Sequence, residues 1–121
     1  MAVLVDTSVW IDLFRARAAP HAAKLKRLLG REEILVGDLI LEELLRGLRT
    51  EHDVARVERA FQAFPVVPLV GEVVARKSAA HYRALRRRGV TVRKTIDRLI
   101  ATWCIENRVP LLHNDRDFHP F

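Results

Sequence analysis

Cysteine occurs once in these 121 residues, at Cys104, so the chain can form no internal disulfide and no thiolate cluster for zinc. A reducing compartment, the cytoplasm, is the expected location. Long hydrophobic runs are also missing: none approaches the roughly 20 residues that span a bilayer. The apolar N-terminal run meets Asp6 too early to form the core of a signal peptide. Glycine and proline number five each and are scattered, without a linker, repeat or low-complexity tract. There is no glycine-rich loop to cradle phosphates and no GxSxG elbow to expose a serine nucleophile. The histidines, His21, His52, His81, His113 and His119, show no zinc spacing such as HExxH. Ser78 and Thr102 lack a recognisable partner base.

What is present describes one soluble globular domain spanning 1–121, half hydrophobic and 30% charged. Lys and Arg number 21 against 15 Asp and Glu, for a formal charge of +6 and a pI of about 10.4. A basic surface attracts polyanions, of which nucleic acid is the commonest, although it also serves solubility. Arg83, Arg86, Arg87 and Arg88 cluster at one place and Arg93 and Lys94 at another. At a helix C-terminus such cations complement the dipole. Arg93 and Lys94, close to Asp97, are instead suited to holding nucleic-acid phosphates.

Periodicity divides the chain into alternating strands and helices. Strands are expected over 1–5, 34–37, 66–69 and 109–113, and Pro68 suggests that the third ends early or lies at an edge. Helices are expected over 9–14, 21–29, 39–48, 51–64, 72–88 and 96–107. Thr7 and Ser8, Asp38, and Thr95 supply helix-start chemistry, and Gly30 and Gly89 mark helix ends. Alternation of this kind predicts an α/β class fold, a three-layer α/β/α domain around a mostly parallel sheet.

Five acids stand where strands end or helices begin: Asp6, Glu43, Asp97, Asp115 and Asp117. In a parallel sheet the carboxyl ends of the strands share one edge, where open α/β folds bind ligands. Carboxylates gathered there repel one another unless divalent cations lie between them. Each acid also has an ordinary reading. Asp6 can cap a helix. Asp97 shares a stripe with Ile100, Ala101 and Cys104, where a charge needs a metal or an ion pair to Arg93 or Lys94. Periodicity does not separate Glu43 from Glu42, since both fall off the apolar face of their helix. Asp115 and Asp117 can build a turn as readily as bind a cation. Trp10, Ile11, Leu13 and Phe14 put more apolar surface on one short helix than a narrow core stripe needs. Trp10 and Phe14 are therefore candidate contacts for a protein partner or a second subunit, the alternative being that all of it is core.

Four segments together carry a resemblance. Val3-Leu4-Val5-Asp6-Thr7-Ser8-Val9-Trp10-Ile11-Asp12 resembles the opening of PIN-domain ribonucleases, specifically the VapC-type toxins of toxin–antitoxin pairs. Glu43-Leu44-Leu45-Arg46-Gly47 is similar to their second motif, whose glutamate stands four residues before glycine, which favours Glu43 over Glu42. Residues 91–101 and 111–118 resemble the third and fourth, and the likeness runs in order over nearly the whole chain. It implies an endoribonuclease dependent on Mg²⁺ or Mn²⁺, with Asp6, Glu43, Asp97 and Asp115 as the acidic site supported by Asp117. It also implies an RNA substrate (transfer, ribosomal or messenger RNA), a cognate antitoxin and a homodimer. Many relatives continue past the last motif, so the closing element is expected to be short or missing. Other phosphoryl-transfer folds fit less well: a haloacid-dehalogenase-type phosphatase wants an aspartate where Ser8 stands, and the acidic pair and late lysine of a receiver domain are missing. A silent PIN-like module that only binds RNA or protein is the other class of reading, and retention of all the acids argues against it.

Overall fold

The computed structural model describes residues 1–16, 19–92 and 94–121, with the side chain of Asp117 outside the description. Among the described residues there are four short strands: β1 (Ala2–Val5), β2 (Glu33–Gly37), β3 (Val66–Val67) and β4 (Leu111–Leu112). Six helices join and flank them: α1 (Thr7–Phe14), α2 (Pro20–Leu28), α3 (Asp38–Arg46), α4 (Glu51–Phe61), α5 (Glu72–Arg87) and α6 (Thr95–Asn107). A single 3-10 turn, Arg116–Phe118, follows β4. No described helix is long and apolar enough to cross a membrane.

Every strand pairing is parallel and the order is β3-β2-β1-β4. Leu4 sits opposite Leu35 on one side and Leu111 on the other. Parallel neighbours require crossovers, which the helices supply, and strands covered on both faces must be apolar throughout. Val3, Leu4 and Val5, and Ile34, Leu35 and Val36, are accordingly all buried. The chain runs outward from β1 through β2 to β3, then crosses back to place β4 on the far side of β1. That reversal opens a crevice beyond the carboxyl ends of β1 and β4, the usual ligand position in open α/β sheets.

Sequence expectation and structure agree on every element and differ at the ends. β3 covers only two of its four expected residues, because Pro68 has no N–H to give and the Leu69 amide donates instead to Asp38 Oδ1, at 3.1 Å. Asp38 does not cap its helix; Gly37 takes that place, and Asp38 ties α3 to the segment after β3. Thr7 and Ser8 lie inside α1, and Thr95 inside α6. Gly30 (φ 83°) and Gly89 (φ 79°) do end their helices in the left-handed region, where glycine meets no Cβ penalty.

Trp10 anchors α1 to α4. Its ring lies 4.7 Å from that of Phe61, edge-on, 5.6 Å from Phe64 and 6.0 Å from Phe14. At 2% exposure it belongs to the core. The expectation that Trp10 offers a surface to a partner is therefore corrected: packing against α4 uses the ring up.

Candidate active site

Asp6 follows β1 directly and is 5% exposed. Its Oδ2 accepts hydrogen bonds from the Ser8 amide (3.2 Å) and the Ser8 hydroxyl (2.7 Å), which makes it the N-cap of α1. The capping role is thus realised, and two oxygens with about four acceptor positions leave it compatible with a further one. The Ser8 hydroxyl also accepts from the Asn114 amide (3.1 Å), and Asn114 Nδ2 donates to Asp12 Oδ2 (3.3 Å). These bonds tie the loop after β4 to α1, so Asp115 is held in register with Asp6. Asp12 and Asn114 went unremarked as positioning residues in the sequence; the only signal was their place inside two of the four motifs.

Glu43 reaches the same edge from α3. The Thr7 hydroxyl donates to its Oε1 at 3.2 Å, a contact across 36 positions of chain. Burial raises the Glu43 pKa above the ordinary value and the Asp6 charge adds to it, against the lowering by the Thr7 bond. Glu42 instead faces solvent and pairs with Arg46 at 3.7 Å. Of the two glutamates that periodicity left equivalent, Glu43 is the one that lies at this edge.

Asp97 lies in the first turn of α6 at 8% exposure, on the stripe it shares with buried Ile100, Ala101 and Cys104. Its Oδ2 is sealed from solvent and has no hydrogen-bond partner among the described residues. Burial, then the charge of Asp6, pushes its pKa up to about 6; Asp115 and Glu43 add to the rise and Lys94 opposes it. The Lys94 ammonium stands 3.9 Å from Asp97 Oδ2 and 3.5 Å from Asp115 Oδ2. The ion-pair reading of Asp97 is therefore realised through Lys94, at a separation too long for a hydrogen bond.

Asp115 donates its amide to His113 Nδ1 at 3.3 Å. Burial lowers the His113 pKa, and the ring packs 5.0 Å from that of Phe118, so this histidine is a packed residue. Cys104 is buried and its thiol is pushed up to about 12, which removes it as a nucleophile. Arg93 and the side chain of Asp117 lie outside the described residues.

Asp6 adds to the rise of Glu43, and Asp6, Asp115 and Glu43 add to that of Asp97, so carboxylates from four separate segments meet at one edge of the sheet. Among the described residues no group of three or more His, Cys, Asp or Glu side chains is arranged to hold a metal ion as it stands. In kind, however, the donors fit a hard divalent cation: all are oxygens, and Asp97 Oδ2 is a buried oxygen with no hydrogen-bond donor among the described residues.

The PIN-domain family profile matches residues 3–120. Over 118 residues the chain is 35% identical to ribonuclease VapC11 of Mycobacterium tuberculosis, covering 96% of this chain and 88% of that protein. The chain belongs to the PIN-domain family, in its VapC ribonuclease branch. The activity class that goes with this membership is that of a ribonuclease toxin. Among solved structures, VapBC2 of Rickettsia felis, bound to promoter DNA, matches this PIN domain with a TM-score of 0.78 at 16% identity, over 96% of this chain and 89% of that one. VapC20 of Mycobacterium tuberculosis, a toxin that cleaves the sarcin-ricin loop, matches at 0.65 and 19%, over 97% and 92%. At such identities the likeness carries the α/β/α fold.

Next to Glu43, this PIN domain has a cavity of about 390 Å³ between α1, α3 and α4. Half-buried Ile11, Phe14 and Leu48, with buried Leu44 and Val57, give it an apolar floor, and Arg15, Arg49 and Arg56 stand around it with Asp53. Of the two aromatic residues expected to meet a partner, Phe14 is the one that keeps accessible surface here.

Proposed function

We propose that this PIN domain is a Mg²⁺- or Mn²⁺-dependent endoribonuclease, the toxin half of a toxin–antitoxin pair, acting on transfer, ribosomal or messenger RNA to arrest translation. The observation that carries the reading is Asp97: a nearly buried carboxyl, on an apolar stripe, whose pKa is raised by burial and by three other acids. A protein without use for such a cluster would be more stable without it.

In this mechanism Asp6, Asp97 and Asp115 would hold the cation, with Glu43 and Asp117 binding directly or through water. When bound, the ion supplies a water of lowered pKa and positive charge to offset the charge that builds on the phosphodiester. Thr7 holds Glu43 by its hydrogen bond, and Ser8 fixes one oxygen of Asp6. Arg93 and Lys94 would steady the phosphates beside the scissile bond, drawing on the general positive charge that attracts RNA. No protein nucleophile is needed. Cleavage of labelled RNA by purified protein tests this. Mg²⁺ or Mn²⁺ should support cleavage and EDTA stop it, while Asp6→Asn and Asp97→Asn keep a cooperative melt and lose activity. Full activity in either variant removes that residue from the mechanism. Sequencing RNA 5′ ends after brief induction identifies the target.

A solved structure of similar fold from Klebsiella pneumoniae is a toxin–antitoxin complex, and by analogy a cognate antitoxin restrains this chain. The cavity holding Phe14 fits such a partner, offering apolar surface for hydrophobic side chains and arginines for acidic ones. For the homodimer, exposed Val66, Val70 and Val73, on and after the edge strand β3, offer an apolar face to a second copy.

A further inference from the structure

We infer that Lys94 is a built-in place-holder for the divalent cation: its ammonium pairs with Asp97 and Asp115 in metal-free protein and is exchanged out when the metal binds. This rests on the proposed metal-dependent reading and adds to it a residue of this chain that competes with the ion.

The geometry is that of a replaceable charge. One ammonium serves two carboxylate oxygens, at 3.5 and 3.9 Å, with neither distance short enough for a charge-assisted hydrogen bond. Asp97 Oδ2 stays without a hydrogen-bond donor among the described residues, so the lysine offsets its charge without satisfying it. The Lys94 side chain is 62% exposed, whereas those of Asp97 and Asp115 are 11% and 25% exposed. The cation therefore approaches from the water side on a flexible stem and can withdraw the same way. Its position also works against it. Lys94 is the N-cap residue of α6, where the helix dipole presents its positive end and disfavours a cation. Asp97 and Asp115 draw it inward against that field. A doubly charged ion held by those same oxygens would stand close to the ammonium and repel it. Once displaced, the ammonium remains at the cleft mouth, where a phosphate group could receive it.

Competition of this kind is measured by binding rather than by turnover. Mn²⁺ is titrated calorimetrically into the whole purified chain, wild type, Lys94→Met and Lys94→Gln, with circular dichroism to confirm the fold. Both uncharged variants should bind Mn²⁺ roughly three- to tenfold more tightly, the scale of a screened ion pair. In EDTA they should melt no higher than wild type, because the acids lose their place-holder. Lys94→Arg keeps the charge and should stay nearer the wild-type affinity. Equal or weaker Mn²⁺ binding in both uncharged variants overturns the inference. If wild type binds Mn²⁺ and Asp97→Asn does not, while Lys94→Met matches wild type, the inference alone fails. If no form binds Mn²⁺, the metal-dependent reading fails and takes this one with it.

Discussion

Replacing Asp97 by asparagine should make the protein more stable while it abolishes cleavage. In the fold its pKa rises from the ordinary 3.8 to about 6. A shift of about two units corresponds to about 3 kcal/mol against the ionised folded form. The carboxyl is nearly covered but shares its cleft with the exposed Lys94, so water screens part of that cost, leaving about 1–2 kcal/mol. Between pH 3.8 and about 6 the folded chain binds a proton that the unfolded chain has lost, so stability falls as pH rises through this window and stays lower above it. The amide that replaces the carboxyl in Asp97→Asn carries no such charge. At pH 7.5 in EDTA the variant should gain about 1–2 kcal/mol, or about 3–8 °C in Tm for a domain of this size. The gain should shrink toward zero as the pH is lowered to 4. Saturating Mn²⁺ should reverse the order by stabilising wild type alone. Thermal melts at both pH values, with and without Mn²⁺, provide the assay. An Asp97→Asn protein that is no more stable at pH 7.5, or whose advantage does not change with pH, refutes the argument that burial and the neighbouring acids oppose ionisation of Asp97.

Other perturbations separate the site from its scaffold. Thr7→Val removes the hydrogen bond to Glu43 and should lower kcat roughly tenfold while costing about 1 kcal/mol or less in a denaturant melt; an unchanged kcat would show that Glu43 needs no such support. Apparent Mn²⁺ affinity should weaken as pH falls below about 6, because protons then compete for Asp97 and for Glu43, whose pKa is also raised, and a flat profile from pH 5 to 7 would contradict this. Trp10→Ala should cost about 3–5 kcal/mol of stability, whereas Phe14→Ala should weaken antitoxin binding by calorimetry more than it lowers cleavage; the reverse pattern would move the docking surface elsewhere. At Gly37 an added Cβ would collide with the buried Leu69 side chain, so Gly37→Ala should lose about 1–3 kcal/mol in the same melt, and neutrality would mean that Leu69 moves aside.

Much of this protein was legible in one dimension because the relevant forces are local or periodic. Unbroken apolar runs such as Val3-Leu4-Val5 mark strands covered on both faces, and Gly30 and Gly89 mark where helices must stop. Asp97 betrayed itself as a charge on the stripe of Ile100, Ala101 and Cys104, and it is indeed buried among them. Capping was harder. Asp6 won over Thr7 and Ser8 because the helix begins at Thr7, two residues before the expected start, a boundary that local preference does not resolve.

Composition, period and motif order thus determined the fold class, the run of elements and the membership in the PIN-domain family. Tertiary structure alone decided between neighbours in the chain. Glu42 and Glu43 are equivalent to any periodic rule, and only the packing of α3 beside α1 turns one toward Thr7 and the other toward water. Trp10 and Phe14 look alike as exposed aromatic surface until α4 closes over the first and leaves the second at a cavity. Lys94 reads in sequence either as a phosphate contact or as an ion-pair partner of Asp97, and the fold sets its ammonium near both Asp97 and Asp115. The physical reason is common to all three. Side-chain direction depends on which distant segment arrives to cover it, and the order β3-β2-β1-β4 governs that arrival.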